Sequence, residues 1–169
     1  MEDQGARSWA AVAAALLVSG CAAQPVPLVN ITGRGEQWVW PFFIDGRPTV
    51  IAFWNTDEMQ CLRDVPALKA FDARESSVEL VTVVTGRDRY EIDQWLRRHR
   101  IRYTVLLDLE ERLARQLGVR SYPTFVYFDS NGKEIARVED IRLVHNWFDN
   151  PRWLERAGAP PPETYRSGG

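Results

Sequence analysis

Residues 53–63, FWNTDEMQCLR, decide the fold, because they join an unbroken apolar strand to a long helix through a short polar turn. The strand is predicted over residues 49–54 (TVIAFW), a continuous β-rich run typical of a strand covered on both faces. The helix is predicted from about Glu58 to Arg74. A buried strand that leads directly into a helix is typical of α/β proteins.

The rest of the chain also alternates between predicted strands and predicted helices. Residues 129–132 (DSNG) are a hairpin turn, and Gly118 marks the end of a helix. Strands are predicted at residues 78–85, 103–107, 124–128 and 133–138, and further helices at residues 90–100, 109–117 and 143–156. This order predicts one α/β domain with a central mixed sheet flanked by helices. A chain of 169 residues is long enough to bury such a core.

Three stretches of the sequence resemble one superfamily. They are Phe53-Trp54 before the cysteine turn, residues 64–68 (DVPAL) and residues 118–125 (GVRSYPTF). Over residues 26–155 the chain resembles the thioredoxin-like superfamily, and within it the TlpA-type membrane-anchored thiol-disulfide oxidoreductases. The resemblance implies a thioredoxin-like fold with the TlpA-type mid-domain strand-helix insertion. It also implies a cis Tyr122-Pro123 bond beside the active-site turn, whereas the sequence alone indicates only that an X-Pro bond can be cis.

The resemblance maps the redox site onto the cysteine turn. In dithiol members a first cysteine attacks the substrate disulfide from the helix N-terminus, and a second cysteine resolves the mixed disulfide. Here Glu58 holds the attacking position and Cys61 the resolving one. The chain is therefore an atypical member that lacks the first active-site cysteine, and we predict no autonomous dithiol activity. The residues expected around Cys61 in the redox-site region are Trp54, Asp57, Glu58, Tyr122 and Pro123.

Opposing effects act on the acidity of Cys61. The helix N-terminus favours a thiolate, whereas burial and the Glu58 carboxylate raise the thiol pKa. Ala52 stands where many thioredoxins carry a buried acid that accepts the proton of the resolving thiol, so Cys61 has less help in ionising. We expect Cys61 to be a packing residue. The alternative is a monothiol oxidoreductase that uses Cys61 with an external resolving thiol.

Two further alternatives concern the same site. A peroxidase is disfavoured, because Glu58 occupies the position of the threonine that peroxiredoxins place three residues before their reactive cysteine. Tyr122 is bulkier than the residue common before the family's cis-proline, and we expect it to fill part of a peptide-binding groove. Pro123 contributes to that groove or only shapes a turn.

The N-terminal segment resembles a bacterial lipoprotein signal peptide. An apolar run at residues 10–18 is too short to span a bilayer comfortably, and it ends in small residues directly before Cys21. Such a lipobox implies that Cys21 becomes the lipidated first residue. The start is acidic, with Glu2 and Asp3, whereas signal peptides are normally basic there. The alternative is a buried N-terminal helix.

These patterns divide the chain into four parts and predict its location. We expect a signal peptide at residues 1–20, the lipidated cysteine and a linker at residues 21–27, the thioredoxin-like domain at residues 28–157, and a disordered tail at residues 158–169. The protein would be anchored in the cell envelope facing the periplasm. Ala22 lacks the aspartate associated with inner-membrane retention, which slightly favours the outer membrane.

Composition limits the partners. A net charge of −2 and a pI near 5.7 provide no electrostatic basis for binding nucleic acid. The two histidines, His99 and His145, together with one spare cysteine are too few for a zinc site, and we predict neither metal nor cofactor. We expect a monomer whose partners are the membrane, through Cys21, and the thiols of envelope proteins or peptides. The resemblance implies a role in thiol-disulfide redox or in envelope or cytochrome protein maturation.

Two surface features leave alternatives open. The aromatic run at residues 38–43 (WVWPFF) either covers one edge of the core or is the binding surface of a non-redox envelope adaptor. The second helix carries Arg97, Arg98 and Arg100 on one side. Arginine-rich faces can bind phosphates, but we expect a solvated face here.

Overall fold

A computed structural model describes residues 24–42, 47–74, 77–86 and 88–148, with side chains in the last helix up to Val144. The strands are β1 (Val26–Asn30), β2 (Gln37–Trp40), β3 (Thr49–Asn55), β4 (Glu79–Thr85), β5 (Thr104–Leu107), β6 (Thr124–Phe128) and β7 (Glu134–Val138). The helices are α1 (Met59–Arg74), α2 (Arg89–Arg98), α3 (Arg112–Gln116) and α4 (Ile141–Phe148).

The described strands form one mixed sheet in the order β2-β1-β5-β4-β3-β6-β7. Strands β3, β4 and β5 run parallel, while β6 pairs antiparallel with β3. The central strand β3 is buried at every residue except its last, Asn55. Because β3 and β4 are parallel, their carboxyl ends lie at the same edge of the sheet, where the chain turns into α1. That edge is where the predicted site residues are found.

Alternate residues of β3 divide the core into two layers. Ala52 and Trp54 belong to an apolar cluster with residues of α1, α2 and α4, whereas Ile51 and Phe53 belong to a second cluster. The second layer includes α3, which has only five residues. The N-terminal hairpin β1–β2 completes its cover, since Trp40 is 4% exposed and lies 5.4 Å from the ring of Phe128. The prediction that the aromatic run covers the core is thus confirmed for Trp40.

The structure confirms the thioredoxin-like α/β class, including a helix and a strand, α2 and β5, between β4 and α3. Strands β3 to β7 and the four helices were predicted. The N-terminal hairpin was not, because the start of β1 was assigned to the linker and residues 38–43 were interpreted as an aromatic run that covers the core. Val26 and Pro27, assigned to the linker, lie in β1, so the ordered sheet begins earlier than expected. Helix α3 is also shorter than the predicted residues 109–117, since Asp108 and the next two residues form a turn that precedes it.

Several predictions fall outside the described residues: the signal peptide, Cys21, the helical residues beyond 148 and the C-terminal tail. Among the residues that the structure describes, none belongs to a helix long and apolar enough to span a membrane.

Candidate functional site at the carboxyl edge of the sheet

The antiparallel register of β3 and β6 brings the two predicted halves of the site together. Phe53 is paired with Thr124, so Tyr122 and Pro123 lie beside the end of β3, where the turn into α1 begins. The Tyr122-Pro123 peptide bond is cis. Pro123 is buried at this edge. Residues far apart in sequence therefore meet next to the cysteine turn.

The turn itself is held by Asn55, a residue that sequence reasoning did not single out. Its side-chain oxygen accepts from the backbone N–H of Asp57 at 2.9 Å, and its carbonyl oxygen accepts from that of Glu58 at 3.2 Å. The turn also contacts the end of β4 closely. A Cβ at Gly86 would lie 2.3 Å from the hydroxyl of Thr56, and Gly86 has φ +135°, so only glycine suits this position.

The predicted site residues separate into an exposed group and a buried group. Asp57 and Glu58 are exposed in the turn, as expected for the position of an attacking nucleophile. Trp54 is only 1% exposed and packs edge-on against Trp95 with ring centroids 5.2 Å apart. Trp54 was predicted to lie in the redox-site region, but it is a core residue beneath the site and offers no surface to a partner.

Cys61 is completely buried, and its pKa is raised to about 11. Burial is the largest cause, followed among the raising effects by the negative charges of Asp64 and Glu58, while the Asn55 backbone lowers it. The prediction that burial and Glu58 raise this pKa is confirmed in direction. At neutral pH the thiol keeps its proton and has almost no nucleophilic thiolate.

Asp64 is another site residue that sequence reasoning missed. It lies one helical turn after Cys61 on α1 and is 4% exposed. Gln60 donates to its Oδ1 at 2.9 Å, whereas Oδ2 has no hydrogen-bond partner among the described residues. Burial raises its pKa. The sheet position of the family's buried acid is Ala52, but a carboxyl group enters the same core layer from the helix. Its spacing three residues after Cys61 was the available signal.

Tyr122 is held in place from α3. Its hydroxyl donates to Oε1 of Glu111 at 3.1 Å, and the Thr85 hydroxyl lies 3.5 Å from the same oxygen. Glu111 has φ 52°, a left-handed conformation that is uncommon for a residue other than glycine. Burial, and then Glu111, raise the pKa of Tyr122. The ring also packs against both core layers. Tyr122 is therefore a fixed wall beside Pro123.

Two open clefts flank Asp57 at this edge. The first has a volume of about 320 Å³ and is lined by Thr56, Asp57, Glu91, Gln94, Trp95 and Arg98. The second, of about 330 Å³, is lined by Asn55, Asp57, Thr85, Gly86, Leu109, Glu110, Glu111 and Arg115. Cys61 lines neither cleft. The edge therefore offers contact surface to a polypeptide, while the thiol lies beneath it.

Over the described residues, His, Cys, Asp and Glu side chains do not gather in a group of three or more that could hold a metal ion.

Comparisons with known proteins agree with this architecture. The thiol-disulfide oxidoreductase ResA of Geobacillus thermodenitrificans is 23% identical over 90 residues, which cover 52% of this chain and 52% of ResA. The chloroplastic Protein SUPPRESSOR OF QUENCHING 1 of Arabidopsis thaliana is 24% identical over 102 residues, or 56% of this chain and 10% of that protein. The matched region thus spans about half of the first relative and a small part of the second.

Solved structures show the same fold at low sequence identity. The exposed lipoprotein thioredoxin Etrx1 of Streptococcus pneumoniae has a TM-score of 0.62 at 20% identity, covering 73% of this chain and 96% of Etrx1. StoA of Bacillus subtilis has a TM-score of 0.61 at 21% identity, covering 74% of this chain and 98% of StoA. A family model, described as the AhpC/TSA family, matches residues 24–136. Because that match spans more than half of the chain, this protein belongs to the AhpC/TSA family, whose members share the thioredoxin-like fold.

Proposed function

We propose that this protein is a lipid-anchored, TlpA-type thioredoxin-like domain of the cell envelope that acts mainly by binding polypeptides at its former redox edge. One combination of features carries the proposal. The carboxylate of Glu58 is exposed, while the thiol of Cys61 is fully buried and has a pKa of about 11. A dithiol reductase requires the opposite arrangement, with an exposed thiolate in front and a second thiol behind it.

Thiol exchange is opposed at its first step. Glu58 can accept hydrogen bonds but cannot form a bond to sulfur, so the attacking position has no nucleophile. Cys61 would have to ionise against both burial and two nearby carboxylates. With a thiol pKa of about 11, roughly one molecule in ten thousand carries a thiolate at pH 7.

Binding is supported by what remains exposed at the edge. Met59 at the start of α1 is 62% exposed and Leu109 is 41% exposed, and both lie among polar and acidic residues. The wall formed by Tyr122 and the buried Pro123 lies at the same edge. Apolar side chains beside open clefts are suited to an extended peptide, since such contacts do not require a reactive group.

The envelope location rests on Cys21 and its distance from the fold. Strand β1 begins at Val26, five residues after Cys21, so the tether reaches about 17 Å when extended. A lipid on Cys21 would keep the domain close to the membrane surface, with the outer membrane slightly favoured by Ala22. One of the similar structures, Etrx1, is described as an exposed lipoprotein, which agrees with such an anchor.

Insulin reduction with dithiothreitol tests the absence of dithiol activity. We expect a rate equal to the background with dithiothreitol alone, and the same rate for Cys61→Ser. A dithiol thioredoxin serves as the positive control. Turnover comparable to that control would refute the proposal.

A monothiol oxidoreductase is the second candidate, and Asp64 is the observation that favours it. A buried carboxyl group with a raised pKa lies one helical turn from Cys61, and it is the candidate base for the thiol proton. Trapping from envelope extracts, with and without reductant, compares the native chain with Cys61→Ser. Reductant-sensitive adducts that depend on Cys61 would favour this candidate over binding alone.

A further inference from the structure

Helix α2 ends in a motif that normally contains glycine. The N–H of Arg100 donates to the carbonyl of Arg97 at 3.1 Å, and the N–H of Ile101 donates to that of Leu96 at 3.0 Å. These two bonds define a Schellman ending, in which the residue after the C-cap adopts a left-handed conformation. Here that residue is Arg100, with φ 51°.

Helix α3 provides the comparison within the same molecule. The N–H of Gly118 donates to Arg115 at 3.0 Å and that of Val119 to Ala114 at 2.8 Å, which is the same pair of bonds. Gly118 occupies the left-handed position with φ 66°. The chain thus uses glycine at one of these ends and arginine at the other.

Arginine is the more costly choice at that position. A left-handed conformation is strained for a residue with a Cβ, whereas glycine adopts it without that strain. A positive charge at a helix C-terminus offsets part of this strain by its interaction with the helix dipole. However, Arg97 and Arg98 already supply such a charge in the last turn. The dipole therefore does not explain why Arg100 is not glycine.

A cleft lined by Arg100 offers a better explanation for arginine at this position. The cleft has a volume of about 370 Å³, and three arginines line it: Arg97, Arg100 and Arg102. Leu96 and Ile101, which are 5% and 8% exposed, form its buried side. The lining comes from α2, from the connection to β5 and from the turn after β1, so elements distant in sequence meet here.

The positive charge of this cleft is mostly uncompensated. Among the described residues that line it, Asp93 is the one carboxylate. It lies 3.9 Å from Arg97, whose side chain is 83% exposed, and such a long exposed contact contributes little. Three guanidinium groups against one carboxylate leave a local charge of about +2 in a protein whose net charge is −2.

We propose that the cleft formed by Arg97, Arg100 and Arg102 binds a phosphoryl group. Guanidinium groups match phosphate oxygens with paired, charge-assisted hydrogen bonds, and several of them around one cleft add their fields. The phosphoryl group belongs either to a soluble phosphate compound or to an anionic lipid headgroup. The site lies apart from the redox edge and does not depend on the function proposed there.

The experiment uses the full chain with Cys21→Ser, so that no lipid anchor contributes, and two probes. One probe is inorganic phosphate, followed by NMR of the arginine Nε–Hε signals. The other is co-sedimentation with phosphatidylglycerol–phosphatidylcholine vesicles, compared with phosphatidylcholine alone. We expect saturable binding to at least one probe. Phosphate alone indicates a soluble ligand, and anionic vesicles with competition by phosphate indicate a headgroup.

The variant Arg100→Gly tests whether Arg100 binds the ligand or has only a structural role. We expect about tenfold weaker binding together with a higher melting temperature, because glycine removes the backbone strain while one charge-assisted contact is lost. Arg102→Gln should weaken binding without the gain in stability. The matched control is Arg63→Gln, which removes an exposed charge from α1 and should leave binding unchanged. No binding to either probe, or equal losses for Arg63→Gln and Arg100→Gly, would overturn the proposal.

Discussion

The cysteine turn and the cis-proline segment lie side by side at one edge of the sheet, yet they depart from the family pattern to very different extents. In the turn, an exposed glutamate, Glu58, lies at the position predicted for the attacking cysteine. In the other segment, Pro123 is buried, and the following Thr124 pairs with Phe53. An exposed side chain can change at little cost in stability, whereas a buried residue in the sheet cannot. Exposed positions of this edge are therefore free to vary, while its buried positions keep its shape.

The largest effect should come from placing a thiol at the predicted attacking position with Glu58→Cys. The new thiol would lie at the helix N-terminus, three residues before Cys61, a separation that a disulfide can bridge. We expect an intramolecular disulfide and insulin reduction that rises from background to a measurable rate.

Asp57→Cys is the matched control, since it adds a thiol to the same turn at the wrong spacing. Thiol counting and mass spectrometry follow both variants. If Glu58→Cys forms no disulfide under oxidising conditions, the shape of the edge has not persisted, and the comparison between the two segments fails.

The next effect concerns the reactivity of Cys61 in the native chain. With a pKa of about 11, its alkylation by iodoacetamide at pH 8 should be roughly two hundredfold slower than that of a free thiol, and burial should slow it further. The rate should keep rising as the pH approaches 11. A Cys21→Ser background isolates the signal, and labelling in denaturant provides the reference. Fast native labelling with a midpoint near pH 7 would contradict a packing role.

Replacing Asp64 by asparagine should stabilise the protein at neutral pH by about 1 kcal/mol. Burial raises the pKa of Asp64 in the folded state, so the native carboxyl group favours folding while protonated, below about pH 4, and this contribution is lost as the pH rises. Asparagine stays neutral and keeps the hydrogen bond from Gln60.

The gain should therefore appear in denaturant unfolding at pH 7 and vanish near pH 3. Asp93→Asn, at an exposed ion pair, is the control and should change the unfolding free energy by less than about 0.5 kcal/mol. A gain of the same size at both pH values would show that ionisation of Asp64 is not its cause.

An effect of similar size and opposite sign should follow Tyr122→Phe, which removes the hydroxyl that donates to Glu111. We expect a loss of about 1 kcal/mol in the free energy of unfolding, because the Glu111 carboxylate loses a donor in a partly buried site. Tyr90→Phe is the control, since Tyr90 is 70% exposed. Equal stability of Tyr122→Phe and the native chain would mean that α3 does not hold this wall in place.

Much of the fold could be predicted because strong local patterns coincide with its elements. Continuous apolar runs marked β3, β4 and β6, and Gly118 marked the end of α3. The N-terminal hairpin escaped prediction because Val26 and Pro27 were assigned to the linker and residues 38–43 were interpreted as an aromatic run, so neither segment was recognised as a strand. Its place is set by pairing with β5, a contact that no local pattern encodes.

The same distinction between local patterns and long-range contacts applies to the site. The spacing of Glu58 and Cys61 and the position of the candidate proline follow from residue identity alone, and the absence of a first thiol is a prediction from the same residues. Only the tertiary structure decided that Trp54 is core, that Asp64 lies buried near Cys61, that Glu111 holds Tyr122, and that three arginines line one cleft. Those facts depend on which elements meet in space, and burial and long-range hydrogen bonds exist only once the sheet has brought them together.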